Sequence, residues 1–149
     1  MNEIMVDMPT AVNEPVREYS PGSPERASLK SKLAEMENES YEIPIIIGGK
    51  TFHTGDTGDC RKPHDHQHIL GTYHKSGEVE VSQAINSALD AWQSWSATPL
   101  SERTAIFRRA AELLADPWRD TINTATMLNQ SKNIYQAEID AACELIDFF

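Results

Sequence analysis

The chain is poor in thiols, in positive charge and in aromatic side chains, and it contains no long apolar run. It has two cysteines, Cys60 and Cys143, far apart and without metal-type or redox spacing. That excludes a disulfide framework and a zinc ribbon and fits an intracellular, reducing setting. Thirteen Lys and Arg stand against twenty-three Asp and Glu, a net charge of −10. Such a balance repels phosphate backbones and anionic lipid, so neither nucleic acid nor a membrane surface is an expected partner. No stretch is long and apolar enough to span a bilayer. The first twenty residues carry Glu3, Asp7, Glu14 and Glu18 against the single Arg17, unlike a secretory signal or an Arg-rich transit peptide. Aromatics make up only 7% of the 149 residues, although a 40% hydrophobic content suffices for a modest core.

Residues 1–22 read as an extended arm, because Pro9, Pro15 and Pro21 interrupt any helix and no apolar period persists. Ser23 and Pro24 form a cap and first residue for a short surface helix whose stripe is Leu29, Leu33 and Met36. The β-branched run at 43–47 stops at Gly48 and Gly49 and resumes at Lys50, a hairpin signal. A loop at 55–59 leads through Arg61, Lys62 and Pro63 to a third strand at 68–74, which predicts a small antiparallel meander. From Val79 the period changes from two to 3.6. Val81, Ala84, Ile85, Ala88, Trp92 and Trp95 line one helix, and Ile106, Phe107, Ala110, Leu113 and Leu114 form the buried side of the next, which Thr98 and Pro99 open. Asp116 and Pro117 end that helix and start another bearing Trp118, Ile122, Ala125 and Leu128, closing near Gln130, after which Ser131 is placed to cap the last helix. The expected class is α+β: an extended arm, a small antiparallel meander, then successive amphipathic helices.

The last helix holds the one residue that breaks its own pattern. Ile139, Ala142, Ile146 and Phe149 form a stripe flanked by Ala141, Leu145 and Phe148, and Asp140, Glu144 and Asp147 fall together on the opposite side. Glu138 instead projects from the middle of the apolar arc. A carboxylate there must be paired, protonated or facing a wet cavity, unless its stem bends out to water near the helix start. The chain then stops in mid-stripe, with no C-cap glycine and no basic residue in the last turn. An exposed Phe148 and Phe149 would suit the front part of something longer.

Other constellations are weaker. His64, His66 and His68 alternate, as a metal-binding strand would require, but Pro63 and Asp65 favour a turn and no further ligand completes the shell. Gly48, Gly49, Gly55 and Gly58 lie between strands and match no phosphate-binding loop, so they read as turn glycines. Cys143 sits toward the apolar side of its helix with no basic neighbour in sequence, the setting of an inert buried thiol, and Cys60 in its polar loop is an ordinary one. No metal ligand and no catalytic residue is assigned on these grounds.

The order of segments is nonetheless familiar. IIIGGKTF at 45–52, a proline-bearing loop, a strand, ALDAWQSW at 88–95, PLSERTAIFRRAAELL at 99–114 and the closing helix resemble the N-terminal region of the aldehyde dehydrogenase superfamily. NEP at 13–15, PGSPER at 21–26, PHDH at 63–66 and QAEIDAACELIDFF at 136–149 look like its L-glutamate γ-semialdehyde (1-pyrroline-5-carboxylate) dehydrogenase branch. Where the wider superfamily has NPxxG, this chain has Pro63, His64, Asp65 and His66, which favours the narrower branch. The resemblance implies oxidation of glutamate semialdehyde to glutamate with NAD, in proline breakdown. It implies that residues 23–149 are an incomplete N-terminal portion of the NAD-binding domain. The nucleophilic cysteine, the general-base glutamate and the Rossmann core would lie in later sequence, so this chain alone would bind no NAD and be inactive. It places Glu138 on a helix bordering the aldehyde tunnel, as a substrate-binding residue. It also implies a cytoplasmic or mitochondrial-matrix protein whose complete form associates with itself. The competing expectation is a non-catalytic module that docks a partner through its last helix, or a metal binder using the three histidines.

Overall fold

The computed structural model describes residues 10–149; Glu3, Asp7 and Pro9 of the expected arm lie outside the described residues. From residue 10 to residue 20 the chain has neither helix nor strand, as the prolines dictate. It then turns into α1 (Pro24–Glu37), where the Ser23 hydroxyl accepts the Arg26 amide at 3.3 Å and proline occupies the first helical position. Leu29 is the buried residue of α1, and the helix lies along α4 (Arg119–Gln130).

The strands depart from the expected meander and form two sheets. β2 (Ile45–Ile47) and β3 (Lys50–Phe52) are the predicted antiparallel hairpin. Gly48 and Gly49 both take positive φ, at 56° and 74°, as a two-residue primed turn demands. β1 (Tyr41–Ile43), β5 (Asp65–His74) and β4 (Thr57–Lys62) form the second sheet in the order β1-β5-β4. Part of the expected loop at 55–63 is therefore strand, paired antiparallel to β5 across a bulge at Cys60 to Lys62. β1 pairs parallel to β5, with Tyr41 opposite Gly71. A Cβ at position 71 would come within 2.2 Å of the Tyr41 carbonyl oxygen, so glycine is what lets β1 approach.

Three long helices follow, as the 3.6-residue period requires. α2 (Glu78–Ala97) starts where the Glu80 carboxylate accepts the Gly77 amide at 2.8 Å, and α3 (Leu100–Ala115) begins just after Pro99. Neither helix has a fully buried residue. Val81, Ile85, Trp92, Trp95, Ile106 and Phe107, which the sequence assigns to inner faces, are exposed among the described residues. α4 is capped by Trp118, two residues later than the expected cap Asp116, and Trp118 lies outward instead of on the inner stripe. Its buried residues are Arg119, Asn123, Thr124, Thr126 and Leu128.

Ser131 does not cap the closing helix. It adopts a left-handed conformation (φ 56°) at the C-terminus of α4, and Asn133 is the cap. Its side-chain oxygen accepts the Gln136 amide at 3.0 Å while Gln136 accepts the Asn133 amide at 3.1 Å. The helix runs as α5 (Ile134–Ala137), a π-helical segment (Glu138–Cys143) and α6 (Glu144–Phe148). The core lies where α4, this helix and the arm meet, around Tyr19, Leu128, Ala137, Ala142 and Cys143. The class is α+β, as the sequence implies.

Candidate functional site

Glu138 opens the π-helical segment and is completely buried. Its stem does not reach solvent. Of the ways a carboxylate can survive on an apolar arc, the fold uses pairing. Arg119 Nη2 donates to Oε1 at 2.5 Å, and Arg119 Nε spans both oxygens at 3.2 and 3.3 Å. Asn123 Nδ2 donates to Oε2 at 2.7 Å, the Tyr19 hydroxyl to the same oxygen at 2.9 Å, and the Arg17 amide to Oε1 at 2.8 Å. Protein donors thus occupy both oxygens. Arg119 and Asn123 stand four residues apart on α4 and so reach the carboxylate from one face.

The same cluster anchors the arm. Arg119 Nη1 pairs with Glu14, and Nη2 also donates to the Pro15 carbonyl at 2.8 Å. Arg17 reaches the Ala115 carbonyl at 3.1 Å, and the Glu14 amide donates to Asp147 at 2.7 Å. Tyr19 is buried with a φ of 52°, a conformation that an L-residue with a large side chain rarely adopts without compensation. Its hydroxyl bonds at Glu138 and Asn123, together with the 3.1 Å bond from Arg26 to its carbonyl, supply that compensation. The described part of the arm, residues 10–20, has neither helix nor strand and is held by backbone and side-chain bonds to one buried ion pair.

The π segment is part of this geometry. In an α-helix a residue five positions on lies about 140° around the axis. The wider winding, marked by the Glu144 amide bonding the Ile139 carbonyl, turns Cys143 back toward Glu138. The Cys143 sulfur accepts from Arg119 Nη2 at 3.3 Å.

Electrostatics make the cluster a fixed charge array and not an acid–base device. Burial pushes the Glu138 carboxyl up, but bonds from Arg119, the Arg17 amide, Asn123 and Tyr19 outweigh it and hold the group below its ordinary range. Burial works against the Arg119 charge, yet Glu138 and Glu14 hold the guanidinium protonated. Burial and then the Glu138 charge raise the Cys143 thiol, against the opposing pull of Arg119. The sulfur is therefore inert, as its sequence setting suggests.

Other sequence candidates are dispersed. His64 bonds the Ser131 hydroxyl at 2.7 Å, while His66 and His68 lie along β5, and the three imidazoles do not converge. Among the described residues the side chains that do converge with metal-ligand spacing are Glu42, His53 and His74. The glycines sit in turns or strands, and no glycine-rich strand-to-helix turn is present to cradle a pyrophosphate, so no dinucleotide contact is assigned to the described residues. Asp140, Glu144 and Asp147 are exposed, as their side of the helix predicts. Asp140, with Ala141, Leu145 and Phe148 from the flank of the apolar stripe, lines an open groove against Ile122 and Thr126 of α4.

Sequence reasoning found Glu138 but not Arg119, Asn123 or Tyr19. An acid in an apolar arc demands a buried cation, yet nothing local says which of thirteen basic residues supplies it.

Comparison with known proteins places this arrangement. Residues 52–149 match the aldehyde dehydrogenase family. The delta-1-pyrroline-5-carboxylate dehydrogenase of Agaricus bisporus is 45% identical over 143 residues, covering 95% of this chain and 26% of the relative. A probable enzyme of the same name from Schizosaccharomyces pombe is 40% identical over 142 residues, covering 95% and 26%. The crystal structure of the Mycobacterium tuberculosis delta-pyrroline-5-carboxylate dehydrogenase superposes with a TM-score of 0.94 at 46% identity, covering 99% of this chain and 28% of that one. Another structure of that protein has NAD bound. The chain spans about a quarter of the length of these relatives.

Proposed function

Because the chain belongs to the aldehyde dehydrogenase family, we propose that it serves as part of an NAD-dependent dehydrogenase that oxidises L-glutamate γ-semialdehyde to L-glutamate in proline degradation. The observation that carries this reading is continuous similarity to 1-pyrroline-5-carboxylate dehydrogenases along 95% of the chain, at 45% identity. Residues 1–22 would be an extended arm and residues 23–149 an incomplete N-terminal portion of the NAD-binding domain. The nucleophile and general base would come from sequence corresponding to the other three quarters of the relatives. Alone, the chain would be inactive. NAD would bind to the complete assembly, which would associate with itself. Several relatives are named mitochondrial, so the proposed setting is the cytoplasm or, in a eukaryote, the matrix.

Glu138 enters this reading as a positioning residue for aldehyde binding. It fixes Arg119, the arm and the first π turn of the helix that lines the groove with Asp140, Leu145 and Phe148. Charge held in a fixed array beside that wall suits a substrate bearing both ammonium and carboxylate groups. A second reading, partner docking through the last helix, is favoured by Phe148, which is 83% exposed.

The experiment is a chimaera in which this chain replaces the matching quarter of the Mycobacterium tuberculosis enzyme. Formation of NADH from L-glutamate γ-semialdehyde and NAD is the expected result, with none from the 149-residue chain by itself. A folded chimaera without that activity overturns the assignment. Activity of the chain alone contradicts its proposed dependence on the remaining sequence.

A further inference from the structure

Glu42 on β1, His74 at the end of β5 and His53 just past β3 meet, and the register explains how. Glu42 on β1 pairs with Thr72 on β5, and His74, two residues on, projects from the same face as Thr72. His53 follows directly on β3, whose last residue, Phe52, pairs with Ile45 just past β1. The hairpin therefore delivers an imidazole to the edge where β1 and β5 end. Glu42 Oε1 lies 2.8 Å from His74 Nε2 and 3.0 Å from His53 Nδ1, and the two nitrogens are 3.2 Å apart. The imidazole planes stand at 84° to each other, so both nitrogens can aim at one point without the rings colliding.

Three such atoms form a nearly equilateral triangle. A tetrahedral ion with bonds of about 2.0–2.2 Å needs donor atoms roughly 3.3–3.6 Å apart, so the triangle has to open by roughly half an ångström. His74 is held in place, with its side chain 5% exposed, while Glu42 (60%) and His53 (52%) border water. That leaves an entry path and a fourth position for solvent. Two imidazoles and one carboxylate suit zinc-class cations and not calcium or magnesium, which require more oxygen donors. From this geometry we infer that Glu42, His53 and His74 bind a divalent transition-metal cation that ties the β2–β3 hairpin to the three-stranded sheet.

One feature opposes the ion and sets its affinity. The Gly55 amide donates to His74 Nδ1 at 3.3 Å, which leaves the His74 proton on Nε2, facing Glu42. Metal binding at Nε2 moves that proton to Nδ1 and breaks the hydrogen bond that the Gly55 amide donates there. The bond is long and exposed, so its loss weakens the site without abolishing it.

Zn²⁺ titrated into the full chain, followed by calorimetry and by the melting temperature, is the test. One equivalent is expected to bind and raise the melting temperature, with Ca²⁺ doing neither. His53→Ala and Glu42→Ala, each at an exposed position and each checked for a native circular dichroism spectrum, should weaken Zn²⁺ binding at least tenfold. The triple variant His64→Ala, His66→Ala, His68→Ala should leave it unchanged. Co²⁺ should add the intense visible absorption of a four-coordinate site in the parent and lose it in His53→Ala. Absence of stoichiometric Zn²⁺ binding to the folded chain overturns the site, as does binding that survives His53→Ala or disappears in the triple variant.

Discussion

At the scale of single residues, the buried pair is asymmetric in a testable way. Removing Arg119 strands a fully buried carboxylate, so Arg119→Met should lower stability by about 3–5 kcal/mol in urea unfolding. Joining it to Glu138→Leu should recover much of that loss, because no fully buried charge is then orphaned and Glu14, the other partner of Arg119, retains access to water. If the double variant is no more stable than Arg119→Met, the pair is not the source of the loss. Tyr19→Phe removes one donor of the set and should cost about 1–2 kcal/mol. The pH dependence follows from the depressed Glu138 carboxyl. A carboxyl lowered in the fold contributes stability that is fully present above its unfolded value, near 4.5, and is lost as pH falls through the folded value. The stability gap between the parent and Glu138→Gln should therefore be constant near neutrality and shrink below pH 4.5. A gap that widens on acidification contradicts the ion pair. The carboxylate's position on the apolar arc was legible, because helical periodicity is local. Its partners lie 15 to 121 residues away and leave no periodic trace.

At the scale of elements, caps and turns carried most of the readable information. Ser23 with Pro24, and Gly48 with Gly49, act through bonds within four residues, so their elements begin and turn where the sequence places them. The closing helix shows how such signals compete. Ser131 and Asn133 both can cap, but only Asn133 has a glutamine three residues on, and Gln136 completes the reciprocal pair. Asn133→Ala should cost about 1 kcal/mol and Ser131→Ala much less, by thermal melting. The parallel pairing of β1 with β5 was not legible, since a three-residue strand carries no sign of a partner 30 residues on. The π winding was equally hidden, since it differs from α by one residue per turn. Gly71→Ala tests the pairing: with a Cβ placed 2.2 Å from the Tyr41 carbonyl, β1 should detach and Tyr41 and Ile43 lose amide protection in hydrogen exchange. Unchanged protection contradicts the register.

At the scale of the whole molecule, amphipathic spacing in α2 and α3 correctly gave helices but wrongly implied covered faces. Periodicity says which residues need a partner surface and is silent on whether the same chain supplies it. Here Ile85, Leu89, Trp92, Ile106 and Phe148 stay exposed among the described residues, more large apolar side chains than isolated surface positions require. The chain spans about a quarter of the relatives' length, and in the proposed complete enzyme the remaining sequence would cover these faces. The chain alone should bind a hydrophobic dye that the chimaeric enzyme does not, and equal dye binding by both contradicts that explanation. The central claim is that a buried carboxylate orders the arm, Arg119 and the groove-lining helix for aldehyde binding. Its most direct test is steady-state kinetics of Glu138→Gln in the chimaeric enzyme. The account predicts a KM for L-glutamate γ-semialdehyde raised about tenfold, with kcat and the KM for NAD nearly unchanged. An unaltered aldehyde KM in a folded variant contradicts it.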